Sequence, residues 1–370
     1  MDHSAENQAT FERDTEMAFA VFRCPPELLL RPLVRNNLCV PRPLMNLTHS
    51  HVRTLCRAAV CEEYNKPLVI RNIPRVEKLG SGLIRVAVKC VGVNFADILS
   101  CKGQYQKKLS PPFVPGLEIS GEVSEVADNV TTFKKGDRVF GAAISDGFSE
   151  EVIAHPQGLW HIPANATFTQ AATLVVSYGT AMLALEQRAH IQPGETVLVT
   201  AAAGAVGLAA VDIAKNVYNA KVIGAAGGPE KCALLKRKGA DHVIDYTKES
   251  IREKVKEFTG GKGVNIAFDN VGGTSFTECL KSLAWDGRIL VVGFAGGNIP
   301  KIPANLLLLK NASAIGVYWG DHLHHNPGAL RKSVTDVLDH FEDGKITPTI
   351  SETFPLEKIN EAFEYITSRK

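Results

Sequence analysis

The sequence contains no uninterrupted apolar stretch near the roughly 18 residues that a membrane-spanning helix needs. The run Leu306 to Leu309, for example, ends at Lys310. A strong charge bias is also missing. The 370 residues carry a formal net charge of +2, with both signs interspersed, and this leaves no basic footprint for a nucleic acid. Neither a membrane nor a nucleic acid is therefore an expected partner. The 8 cysteines form no C-x-x-C pair, and none lies between Lys102 and Lys231. A disulfide framework is not expected from such scattered thiols in a chain of this length.

Lysine is absent from Ala18 to Cys61, where Glu27 is the single acid. The same stretch holds Arg23, Arg31, Arg35, Arg42, Arg53 and Arg57, and Pro25, Pro26, Pro32, Pro41 and Pro43 interrupt any long helix. Arg-rich, acid-poor and apolar is the composition of an organelle transit segment. Residues 1–57 are accordingly expected to be a targeting or disordered segment, with a mitochondrial location favoured over a cytoplasmic one.

What is present is a chain that is 45% hydrophobic, enough to bury the cores of two or three domains. From about Ala58 onward, short alternating strands such as Leu83 to Lys89 and Gly121 to Val126 are broken by turn signals at Pro111, Pro112, Pro115, Gly116 and Gly136-Asp137. That pattern predicts a β-rich unit over residues 58–175. After Thr167 the rhythm changes. A helix is predicted over Ala171 to Ala189, followed by apolar strands (Glu195 to Thr200, Lys221 to Gly224, Val264 to Phe268, Arg288 to Val292) alternating with helices. Such alternation indicates a doubly wound parallel sheet over residues 176–315. Residues 316–370 return to helix, turn and strand, with His322, His324 and His325 read as a solvated loop cluster.

The segment Ala201-Ala202-Ala203-Gly204-Ala205-Val206-Gly207 lies directly between a strand and a helix. Small residues there let a backbone approach a pyrophosphate, and the helix N-terminus offers N–H groups and positive dipole. Ala202 stands where a full G-x-G-x-x-G would have its first glycine, so the strand-loop-helix context carries the assignment rather than the string. An NAD site places an acid at the end of the next strand to bind the ribose 2′-OH. Here that end reads Gly224-Ala225-Ala226-Gly227-Gly228-Pro229, and Lys231 follows Glu230. A missing carboxylate and a nearby cation favour the 2′-phosphate of NADPH.

Several further strings occur in one order: Val93-Asn94-Phe95-Ala96-Asp97, Gly103-Gln104-Tyr105, Pro115-Gly116-Leu117-Glu118-Ile119-Ser120-Gly121 and Gly136-Asp137-Arg138-Val139. Together with the cradle they resemble the medium-chain dehydrogenase/reductase superfamily, and most of all its zinc-free quinone oxidoreductase branch, over about Ala58 to Lys370. The resemblance implies a GroES-like β-rich domain into which the doubly wound Rossmann domain is inserted, and a homodimer with its seam near Val317 to Trp319. It implies that Asn94 and Tyr105 line the cleft beside the nicotinamide. It also places Thr180, Gly293 and Phe294 against the cofactor, and Gly227, Lys231 and Tyr246 near its 2′-phosphate end. Asp269 is expected to cap its own turn. Relatives usually continue past the last helix into a short strand that is not found before Lys370, which predicts a weakened β domain.

Zinc alcohol dehydrogenases of that superfamily carry Cys where Asn94 stands, His where Leu117 stands, and a four-cysteine lobe that has no counterpart here. A catalytic zinc takes about three protein ligands and a structural one four, so zinc is not expected. The chemistry that remains is hydride transfer from NADPH to an electron-poor carbon or ring. Tyr105 is the candidate acid or hydrogen-bond donor, with closure of the cleft as its alternative role. Quinones or other enones and carbonyl compounds are the leading substrates. An enoyl-thioester reductase and a low-turnover NADPH-binding sensor or interaction protein are the competing functions.

Overall fold

The computed structural model describes residues 20–23, 55–143 and 145–368. The second half of the chain is dominated by a six-stranded sheet. Its strands, in spatial order, are His242–Asp245, Lys221–Ala226, Thr196–Val199, Val264–Asp269, Leu283–Val291 and Ser313–Gly316. Every neighbouring pair is parallel. The first strand in sequence therefore lies centrally, and the order reverses between Thr196–Val199 and Val264–Asp269. At such a reversal the loops leave in opposite directions and open a crevice at the carboxyl ends of the strands. Val197, Leu198, Val199, Ile266, Ala267 and Phe268 are buried completely, because helices cover both faces.

The β-rich unit is a seven-stranded sheet. Its path runs Glu352–Pro355, Ala20–Arg23, Ile84–Gly92, Glu118–Val126, Arg138–Ala142 and Leu159–His161, and Glu151–Ala154 pairs with Ile84–Gly92 off that path. Leu55–Val60 and Val69–Pro74 form a separate antiparallel ribbon. Its core joins Ile84, Val86, Ile119, Val139 and Phe148 to Leu356, Ile359 and Ala362 from the last turns of the chain. The C-terminal segment thus comes back to the first unit.

One expectation changes here. Residues 1–57 are not wholly outside the fold. Ala20–Arg23 pairs in parallel with Glu352–Pro355 and antiparallel with Ile84–Gly92, and Leu55 to Arg57 begin the ribbon. The remaining residues of that segment, 1–19 and 24–54, lie outside the described ones. The strand Ala20–Arg23 lies between Glu352–Pro355 and Ile84–Gly92, which leaves Glu352–Pro355 as the edge strand of this sheet.

The helix expected over Ala171 to Ala189 is helical but not uniform. Two π-helical stretches, Leu174–Tyr178 and Leu183–Arg188, alternate with α-helical Phe168–Ala171 and Gly179–Met182. π turns inserted into helices concentrate at functional sites, and this one bridges the two units. The His322–His325 cluster forms one short helical turn instead of a loop. Among the described residues, no helix is long and apolar enough to cross a membrane.

Candidate active site

A cleft of about 1840 Å³ opens between the two units. From the Rossmann side it is lined by Gly204, Ala205, Val206, Gly207, Gly227 and Lys231, with Tyr246, Gly293 and Phe294 further along. Asn94 and Tyr105 enter from the β-rich side, and Thr180 from the connecting helix. The structure thus gathers the candidate catalytic and cofactor-contacting residues into one space.

The cradle is shaped by close backbone packing. The helix Ala205–Asn216 starts at Gly204, and no side chain caps it, so its first-turn N–H groups face the cleft as anion donors. A Cβ on Gly207 would sit 2.4 Å from the Ala201 carbonyl oxygen and 2.7 Å from the Ala202 Cα. The left-handed backbone of the turn falls on Ala201, at φ 45°, rather than on Ala202. This explains why the missing first glycine is tolerated. The turn is locked by the Gly204 N–H donating to the Ala201 carbonyl at 2.9 Å, and by the Ala202 N–H donating to Ala225 at 3.0 Å. These residues fit a dinucleotide phosphate: small side chains, an uncapped helix end and no space for a Cβ at the contact.

At the far end, Gly227 packs against the Tyr246 ring, whose atoms lie 3.0 Å from where a Cβ would be. One nearby acid escaped sequence reasoning. Asp245 ends the strand next to Lys221–Ala226 and pairs with Ala226. Its Oδ1 accepts from the N–H groups of Gly228 (2.9 Å) and Thr247 (3.1 Å) and from the Thr247 hydroxyl (2.6 Å). Those bonds, that of the Thr247 side chain foremost, hold its carboxyl below the usual range. The acid closes the turn and has that oxygen fully engaged.

The base of the crevice is tied across the strand-order reversal. The Thr200 hydroxyl donates to Asp269 Oδ1 at 2.8 Å, and the Asn270 side-chain amide donates to the Thr200 carbonyl at 3.0 Å. Asp269 Oδ2 accepts from the Gly272 N–H at 2.8 Å, so Asp269 caps its turn.

On the β-rich side, Asn94 begins the helix Phe95–Cys101 and is buried, as are Asp97 and Glu118. Tyr105 follows in the turn after that helix, held by its N–H bond to the Leu99 carbonyl at 3.2 Å. Burial, and next to it the phenol of Tyr318, push the Tyr105 hydroxyl well above its ordinary pKa. It is therefore neutral at physiological pH, able to donate a hydrogen bond. Tyr318 lines the same cleft and was not foreseen as a partner, since nothing local in the sequence links two positions so far apart. No group of three or more His, Cys, Asp or Glu side chains that could hold a metal ion is found among the described residues.

A parallel sheet with a phosphate cradle at its reversal, facing a β-rich unit across a cleft, defines a two-domain nucleotide-dependent oxidoreductase. The chain belongs to the medium-chain dehydrogenase/reductase superfamily: residues 80–175 match the family described as alcohol dehydrogenase GroES-like domain, and residues 205–339 the one described as zinc-binding dehydrogenase. It is 51% identical over 354 residues to "Quinone oxidoreductase-like protein 2 homolog" of Nematostella vectensis, spanning 95% of this chain and 97% of that protein. It is 33% identical over 284 residues to human "Quinone oxidoreductase", covering 76% of this chain and 84% of that one. A mycobacterial structure complexed with NADPH superposes with a TM-score of 0.77 at 28% identity, over 85% of this chain and 97% of the other.

Proposed function

We propose that this protein is a zinc-independent reductase that uses NADPH to reduce quinones or other electron-poor enones and carbonyl compounds. The observation that carries the reading is the shared cleft: a phosphate cradle on one wall, and on the other a neutral phenol and a buried amide. When bound, NADPH would supply the hydride, the step that no side chain can perform. The chain's own residues hold and orient. The first-turn N–H groups at Ala205 to Gly207 would grip the pyrophosphate, while Lys231 and Tyr246 would face the adenosine 2′ end. Tyr105 would hydrogen-bond the acceptor oxygen as negative charge builds there. Zinc independence is supported by the donor chemistry at Asn94, whose amide is committed to Glu118.

A panel of quinones, enones and enoyl-thioesters with NADPH, followed at the nicotinamide absorbance, tests this. Oxidation of NADPH by a quinone or simple enone is expected. Turnover of enoyl-thioesters alone would replace the substrate, and NADPH binding without oxidation by any of them would leave only a sensor role.

Cofactor choice gives a separate check. Lys231→Ala should raise the NADPH dissociation constant at least about tenfold, or 1.4 kcal/mol, with NADH binding changed far less. Equal losses for both would sink the 2′-phosphate assignment. Tyr105→Phe should lower kcat about tenfold or more. Because the Tyr105 hydroxyl is raised above its ordinary value, the wild-type rate should show no basic limb from this group up to about pH 10. A Phe variant at full rate would reduce Tyr105 to closing the cleft.

Association is proposed at the open edge of the parallel sheet. Ser313–Gly316 is the edge strand, and beside it the helix Ala304–Lys310 buries none of its residues. Leu308 and Leu309 stand 80% and 68% exposed, an apolar surface suited to a two-fold contact between copies. Wild-type protein should sediment as a dimer, and the double substitution Leu308→Asp, Leu309→Asp as a monomer. An unchanged dimer would place the contact elsewhere.

A further inference from the structure

Glu118 belongs to the Gly116-Leu117-Glu118 string, yet the proposed chemistry leaves it without a task. Its position is unusual. The side chain is completely buried, and its carboxylate is bonded to no cation among the described residues. One oxygen, Oε1, accepts from the Asn94 side-chain amide at 2.8 Å. The other, Oε2, accepts from the Val176 backbone N–H at 2.8 Å, inside the π-helical stretch Leu174–Tyr178. The carboxyl thus joins an amide of the β-rich unit to the backbone of the connecting helix. Two residues beyond the end of that π turn at Tyr178, Thr180 lines the cleft with Val176 and Asn94. The fold makes room for this link. A Cβ on Gly92 would lie 2.4 Å from Glu118 Oε1 and 2.4 Å from the Ala172 carbonyl oxygen, so the strand carries glycine where the carboxylate sits.

Donor chemistry explains why the residue is an acid. Groups on both sides of it are donors: an amide NH2 from Asn94 and a main-chain N–H from Val176. Only a carboxylate accepts on both oxygens. A glutamine of the same shape would keep the Val176 bond through its oxygen and turn its own NH2 toward that of Asn94. Either the contact with Asn94 is lost or Asn94 must turn over. An acid buried without a counter-charge costs free energy, and a purely structural link could be made by neutral groups.

We propose that Glu118 is a positioning residue of the reductase: its carboxylate fixes Asn94 in the cleft by fastening it to the helix that carries Thr180. This rests on the reductase reading above. Asn94 then touches substrate or cofactor, and Glu118 acts only through it. The charged group facing Glu118 is Asp97, from the helix Phe95–Cys101. The strand Ile84–Gly92 presents Gly92, and the segment 172–176 presents the Ala172 carbonyl and the Val175 and Val176 N–H groups. Burial pushes Glu118 up to about 7, and Asp97 to about 8, against the backbone N–H groups that each accepts. Asp97, whose value the Glu118 charge also raises, is already protonated where Glu118 titrates. Since the ionised form of Glu118 makes the link, activity should fall as pH drops through about 7.

Glu118→Gln tests this. Its kcat/KM for the best acceptor should fall at least about tenfold, with the NADPH dissociation constant, read by fluorescence, held within about twofold. The acidic limb of the wild-type pH profile should vanish in the variant. An unaltered rate with the limb retained in Glu118→Gln would overturn the proposal. A readout without turnover keeps it separate from the reductase reading. In Glu118→Leu, hydrogen exchange of the peptide spanning Ala172 to Tyr178 should speed up at least about tenfold in the NADPH-loaded protein, together with that spanning Gly92 to Asp97. Unchanged exchange in both would refute the link even if no substrate is found, whereas faster exchange without any turnover would reject only the reductase reading.

Discussion

Gly207→Val is expected to abolish cofactor binding, raising the NADPH dissociation constant at least about a hundredfold, or 2.8 kcal/mol. The reason is the backbone, not the side chain removed. A Cβ at 207 would meet the Ala201 carbonyl oxygen at 2.4 Å and the Ala202 Cα at 2.7 Å, and neither can swing aside as a flexible side chain would. Ala201 already occupies the left-handed region, at a cost of about 1 kcal/mol for a residue other than glycine. To relieve the clash, the turn must open and the helix Ala205–Asn216 must move away from the strand. Both movements withdraw the N–H groups from the phosphate. Gly204→Ala is the informative contrast, since a Cβ there would meet only the Ala201 oxygen, at 3.3 Å. It should fold normally and lose affinity less. Fluorescence titration with NADPH, beside circular dichroism to establish folding, checks both. Wild-type affinity in Gly207→Val would show that the cradle does not hold the phosphate.

The contrast also marks what the sequence could reveal. Continuous apolar strands alternating with helices are a local signal, and they predicted the parallel sheet because burial on both faces leaves no polar positions. The cradle was legible for the same reason: strand, small residues and helix are adjacent in the chain. Even so, the string could not say that the positive φ falls on Ala201 while Ala202 packs near Gly224. The π turns at Leu174–Tyr178 and Leu183–Arg188 left no trace in a hydrophobic pattern that fits any helix. Ala20–Arg23 was hidden by composition. Its arginine- and proline-rich surroundings resemble a targeting segment, while strand pairing with Glu352–Pro355 depends on a chain more than three hundred residues away. Glu118 was visible as part of a motif, but its partners Asn94 and Val176 come together only through the tertiary fold. Tyr318 beside Tyr105 belongs to the same category.

Arg85→Met should lower the stability of the β-rich unit by about 3–5 kcal/mol, the usual cost of breaking a buried ionic group on one side. Arg85 lies in the strand Ile84–Gly92 and is completely buried. Its Nε donates to Glu125 at 2.7 Å, one terminal nitrogen to Glu151 at 2.6 Å and the other to the Val76 carbonyl at 3.2 Å. Glu151 is shared with Arg75, through Arg75 Nε at 2.7 Å, so the network alternates in sign across the sheet. Methionine keeps much of the aliphatic volume but supplies no donor. Glu151 would retain Arg75, yet one of its oxygens and the Val76 carbonyl would lose their partner inside the unit. Desolvated acceptors left in this way account for most of the cost. Replacing Glu125, which is more exposed, should cost much less, about 1 kcal/mol. Denaturant unfolding of the two variants separates these values, and near-equal losses would mean that Arg85 contributes through packing rather than through its bonds. The cleft should feel the change only indirectly, because Arg85 contacts neither Asn94 nor Tyr105. NADPH affinity measured well below the melting temperature should therefore stay at the wild-type value.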